Sequence, residues 1–65
     1  MRQNRIEKIT RAIVIEDRDL RATRVEIVWV DTRGKTGITS GQLPSIHMQQ
    51  LLDRARRDGV QVETR

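Results

Sequence analysis

Apolar positions along this chain follow two periods, alternation over the first forty or so residues and a three-to-four spacing after Pro44. Over residues 5–16 alternation places Ile9, Ile13 and Ile15 on one side of an extended strand, with Ala12 and Val14 on the other. The β-branched run Ile13-Val14-Ile15 favours this geometry. A local signal competes with it: Asn4 with Glu7 three residues on is an N-cap pattern that would start a short helical turn through Ile6 and Ile9. The polar segment 17–22 is too short to be an element and reads as the link between two antiparallel strands.

The second strand, residues 24–30, carries the strongest pattern. Val25, Ile27 and Trp29 fill one face, and Val28 and Val30 fill the second half of the other. Asp31-Thr32-Arg33-Gly34 has the composition of a type I turn closed by a residue at positive φ. The chain then returns through a short third strand, residues 35–39, in which Gly37 predicts a bulge or an edge position. After a loop over 40–43, Pro44 or Ser45 begins a helix whose stripe is Met48, Leu51, Leu52 and Ala55. Gly59 is placed for a left-handed C-cap, Val60 closes that cap, and residues 60–63 alternate as a last strand.

The expected fold is therefore α+β, a small antiparallel sheet in β-β-β-α-β order with one amphipathic helix packed on one face, a single domain over residues 1–65. One helix covers one face, and this sheet offers apolar side chains on both. Ala12, Val14, Val28 and Val30 are left for a second copy of the chain to cover, either sheet on sheet or edge to edge along the strand from Val25 to Val30. Val28, Val30 and Trp29 are the expected self-association residues.

Size and composition sharpen that expectation. A chain of 65 residues buries only about 60% of its unfolded surface. The absence of Cys removes disulfides, thiolate metal sites and cysteine nucleophiles together, leaving tight packing or oligomerisation as the route to stability. No apolar run has the length of a signal peptide core or a membrane span, so a cytoplasmic location with no membrane association is expected. The net charge of +4 comes from 13 basic against 9 acidic residues. Eleven of the basic residues are Arg, which suits bidentate phosphate recognition and is equally what a GC-rich genome writes.

Candidate chemistry is sparse. Gly34-Lys35-Thr36 resembles the end of a phosphate-binding loop, yet Trp29 stands where the earlier glycine belongs and no helix follows, so a charged hairpin tip is the reading. His47 is the only histidine and has no acid or serine at a spacing that would make a metal or nucleophile site. Glu16, Asp17 and Asp19 are interleaved with Arg18 and Arg21, the composition of a solvated turn. Trp29 is the only aromatic residue, too few for a base-stacking platform.

What remains is electrostatic: Arg2, Arg5, Lys8 and Arg11 near the start, Arg33 and Lys35 at the hairpin tip, and Arg54, Arg56 and Arg57 at the helix end. The expected function is a small non-enzymatic accessory protein without a cofactor, binding the phosphate backbone of DNA or RNA through Arg33, Lys35, Arg54, Arg56 and Arg57. The alternative is a protein-binding or inhibitor module that uses an apolar sheet face or strand edge as a homodimer or with a protein partner.

Overall fold

The computed structural model describes residues 5–65, and in it the most strongly patterned segment becomes an interior strand. That strand, β2 (Ala22–Asp31), lies between β1 (Ile6–Asp17) and β3 (Thr36–Leu43); β4 (Val62–Thr64) flanks β1, and the sheet order is β3-β2-β1-β4. The α+β fold and the β-β-β-α-β order are as expected. β1, β2 and β3 are antiparallel, while β4 pairs parallel to β1, so the sheet is mixed. Helix α1 (Ile46–Arg57) carries the chain from the β3 edge to the β4 edge, the kind of long crossover that a parallel return requires. Because β2 has a neighbour on both sides, edge-to-edge association along Val25 to Val30 is ruled out; β3 and β4 are the edges.

β1 departs from simple alternation. Ile6 pairs with Asp31 and Lys8 with Val30, then Ile9 with Trp29 and Arg11 with Val28, so Glu7 and Thr10 are each an extra residue opposite none. Each bulge shifts the parity of every residue on one side of it relative to the other. Ile6, Ile9, Ala12 and Val14 therefore share the helix side, at spacings of three, three and two, and Ile13 and Ile15 face away. The expectation that Ile9 sides with Ile13 and Ile15 fails for this reason, and so does the assignment of Ala12 and Val14 to the uncovered face. The helix-like spacing of Ile6 and Ile9 belongs to a bulged strand; Asn4, the proposed cap of that turn, lies outside the described residues.

Both bulges are patched by polar side chains. Arg54 Nη2 donates to the carbonyls of Ile6 and Glu7 at 2.9 and 3.2 Å, and Thr10 Oγ1 donates to the carbonyl of Val28 at 3.3 Å. Ladder partners lost to the extra residues are thus replaced in part.

The core is a single layer between sheet and helix: Ile9, Ala12, Val25 and Ile27 meet Met48, Leu51, Leu52 and Ala55. The predicted helical stripe is the buried stripe. Ser45 is the N-cap, its Oγ accepting from the Met48 N–H at 3.3 Å. At the other end Gly59 has φ +80°, and the N–H groups of Gly59 and Val60 donate to the carbonyls of Arg56 and Ala55, which is the Schellman pattern.

β3 is longer than expected, because Ser40-Gly41-Gln42-Leu43 continues the ladder against Thr23–Glu26 instead of forming a loop. Both of its glycines make room for a large neighbour. A Cβ on Gly37 would lie 2.4 Å from the Trp29 ring, and one on Gly41 would lie 2.8 Å from Met48 Cγ. Gly37 is on an edge strand, as one of the two readings had it, and its register with β2 is unbroken.

Candidate nucleic-acid interface

The cations cluster because of how the hairpin and the crossover are joined. The β2–β3 hairpin is tight: the Asp31 N–H donates to the Lys35 carbonyl at 2.8 Å, the Gly34 N–H donates to the Asp31 carbonyl at 3.1 Å, and Gly34 takes φ +83°. This is the turn that the residues predict. Asp31, 1% exposed, anchors it from inside, with Oδ1 accepting the N–H groups of Arg33 and Lys35 at 2.8 and 2.9 Å. The two basic side chains are thereby presented outward on a braced loop, both exposed.

The pairing of Ile6 with Asp31 puts the start of β1 beside the root of this hairpin, which brings Arg5 and Lys8 to the same end. Arg54, bonded to the Ile6 and Glu7 carbonyls, brings the last turn of α1 there too. The helix C-terminus and the hairpin tip, separate in sequence, therefore lie at one end of the molecule. Cations are at home at the helix terminus, where they oppose the negative pole of the helix dipole.

The predicted site residues are not equivalent in this arrangement. Arg33, Lys35 and Arg57 make no ion pair with any described residue, nor do Arg5 and Lys8. Arg56 stands 3.8 Å from Asp53, and Arg54 is 3.8 Å from Asp58 in addition to its two backbone bonds. Arg54 is thus half-buried and engaged in holding the bulge. Arg11 lies on the open face of the sheet, where it is paired in two-pronged fashion with Glu63 at 2.9 and 3.2 Å. The hydrogen bond from Arg11 holds the Glu63 carboxyl below its ordinary range and raises the guanidinium in turn. Arg2 lies outside the described residues.

At the opposite end Arg18, Arg21 and Arg24 also make no ion pair among the described residues, but they stand among Glu16, Asp17 and Asp19. Asp17 has a structural task, its Oδ1 accepting the N–H groups of Asp19 and Leu20, both at 3.1 Å. His47 is exposed on the first turn of α1.

The expected self-association residues are divided between faces. Val28 and Val30 are half-buried on the face away from the helix. Trp29 lies on the helix side against the core, its ring over Gly37 and its Nε1–H donating to Thr39 Oγ1 at 2.8 Å. On the open face Ile13 is 6% exposed although no helix covers it. Its cross-strand neighbours are Glu26 and Glu63, with the Arg11–Glu63 pair beside it, and the stems of such long side chains shield apolar surface while their heads stay in water. That face supplies part of its own cover.

No group of three or more potential metal-ligating side chains occurs among the described residues, and no helix there is long and apolar enough to cross a membrane. The signal that sequence reading missed is Lys8 and Arg5 joining the hairpin tip, which follows only from the Ile6–Asp31 register. Comparison with protein-family models, curated proteins and solved structures gave no match to this chain.

Proposed function

We propose that this protein is a non-enzymatic, nucleic-acid-associated accessory protein that grips backbone phosphates with its basic end. The reading rests on the convergence there of Arg5, Lys8, Arg33, Lys35 and Arg57, all free of internal ion pairs among the described residues. An unpaired surface cation loses little when it leaves water for a phosphate and releases a condensed counterion as it does so. The braced hairpin adds preorganisation, since Asp31 holds the backbone of Arg33 and Lys35 before any ligand arrives.

The contacts are to phosphate and not to bases. The sole aromatic ring is occupied with Gly37 and the core, which leaves no stacking platform of the kind single-strand binders use. Affinity is accordingly insensitive to sequence, and Trp29 emission stays unchanged on binding.

A titration of labelled duplex and single-stranded oligonucleotides across a salt series tests this. Log affinity should fall linearly with log salt at a slope of about −0.9 per phosphate contacted on duplex DNA. Replacing Arg33 and Lys35 together by Ala should make that slope shallower by up to roughly two contacts' worth. Absence of binding at low salt would end the proposal.

A further inference from the structure

We propose that the chain pairs with a second copy of itself along the outer edge of β3, antiparallel, forming one continuous eight-stranded sheet. This goes beyond phosphate binding and does not depend on it.

The first observation is a gap in the charge pattern. Of 65 residues, 22 are charged, yet none lies between Lys35 and Asp53. That segment supplies all of β3, the Pro44 loop and the first turns of α1. Elsewhere Lys, Arg, Asp or Glu recurs every few residues. Charge is therefore kept from the one long edge of the sheet, the opposite edge being the three-residue β4.

The second observation is that β3 lacks the other devices that stop sheets from adding strands. An exposed edge is normally blunted by Lys, Pro, a bulge or shortness. β3 has eight residues, neither charge nor Pro within it, and an unbroken register with β2. Its outer backbone groups make no hydrogen bond to other described elements. Two of the three most exposed large apolar side chains of the described residues, Ile38 at 64% and Ile46 at 81%, belong to the same neutral segment. Ile46 borders an open groove of about 560 Å³ lined by Leu43, Pro44, Ser45, Gln49 and Gln50, which continues the uncharged surface past the end of the strand.

Charge and symmetry select the occupant. Each copy carries +4, so two copies attract only where charge is absent, and β3 is where it is absent. A two-fold axis near Thr39 and Ser40 pairs the strand with itself and sends the two basic hairpin tips to opposite ends of the interface. Eight residues of strand set those tips on the order of 27 Å apart, several times the roughly 8 Å over which charges are felt at physiological ionic strength. A self-paired strand also needs no complementary sequence: small residues, Gly37, Thr39, Ser40 and Gly41, bring the backbones together, and Ile38 of each copy is covered next to the axis. A foreign strand would find neither a charge nor a deep side-chain pocket on this edge to select it.

Sedimentation of the whole chain from micromolar to millimolar concentration tests the proposal. The expected result is a rise from 7.6 kDa to twice that mass, undiminished at high salt because no ion pair holds the interface and added salt only screens the repulsion between the two basic copies. Ser40→Lys and Ser40→Glu each set like charges close to one another across the axis. Each should weaken dimerisation on the order of tenfold or more, with an unchanged far-ultraviolet circular dichroism spectrum because Ser40 is exposed. Mixing the two variants should restore association through heterodimers. A native chain that stays at monomer mass at millimolar concentration, or variants that associate as tightly as the native chain, would overturn the proposal.

Discussion

The two hairpins of this sheet solve the same problem with the same residue and reach different results. Each loop opens on an aspartate whose Oδ1 accepts two backbone N–H groups a few residues on: Asp17 receives Asp19 and Leu20, and Asp31 receives Arg33 and Lys35. Asp17 does so in water, and Asp31 does so at 1% exposure beneath its own turn. The left-handed position also differs, for Gly34 occupies it in one loop and Arg21, at φ +49°, in the other. One hairpin is thus braced from within, glycine-relieved and tipped with cations that make no ion pair among the described residues. The other is surface-held, carries a side chain where glycine fits best, and balances its arginines with acids. The same local motif makes a platform in one place and a plain connection in the other, and burial of the anchoring carboxylate is the variable that separates them.

That contrast sets the order of expected effects. Asp31→Ala strips two donors of a buried carboxylate and should cost about 3 kcal/mol, read as a lower midpoint in urea, while Asp17→Ala should cost about 0.5 kcal/mol because water replaces what is lost. Equal losses at the two positions would show that burial is not what distinguishes the loops. The glycine position should respond with opposite signs. Gly34→Ala destabilises by about 1 kcal/mol, since a Cβ there meets no atom and the penalty is the left-handed backbone alone. Arg21→Gly stabilises by about 0.5 kcal/mol, relief of the same backbone penalty being partly offset by a freer unfolded chain.

On the binding side, removal of Arg18 and Arg21 by Ala should leave the salt slope of oligonucleotide binding unchanged, whereas removal of Arg33 and Lys35 lowers it; matched losses would move the site away from the braced end. The smallest effect is that of the Arg11–Glu63 pair. The folded carboxyl of Glu63 titrates below its unfolded counterpart, so its contribution is complete above the ordinary glutamate range and fades as pH falls through the lowered folded value. Glu63→Gln should remove that acid-side component of the stability profile and leave the neutral-pH profile flat. An unaltered acid limb in the variant would show that the pair does not contribute.

Much of this architecture is legible from local signals. The cap at Ser45, the left-handed Gly59, the Asp31–Gly34 turn and the helical stripe each need only neighbours within one or two turns of chain. What alternation cannot reveal is where a strand holds an extra residue, because Glu7 and Thr10 are bulged by their register with β2 and patched by Arg54 and Val28, partners distant in sequence. The full length of β3 is hidden likewise, since Ser40-Gly41-Gln42 has loop composition and becomes strand because Gly41 admits Met48.

For the candidate interface, Arg33 and Lys35 at a tip are readable from the turn residues. The meeting of that tip with the helix end depends on the crossover and the Ile6–Asp31 pairing. The same dependence gives Arg54 its backbone partners, which composition counts simply as one more positive charge. Alternation does separate Trp29 from Val28 and Val30, and the structure keeps them on opposite faces.

The supernumerary residues of β1 also bear on how such a chain can change length. Excising Thr10 would bring Ile9 and Arg11 into adjacent pairs opposite Trp29 and Val28, with every remaining side chain still pointing to its present side. Excising Ala12 instead would turn one arm of the strand inside out. Insertions and deletions in β1 of related sequences should therefore gather at Glu7 and Thr10, two spots where a codon can be lost without scrambling inside and outside.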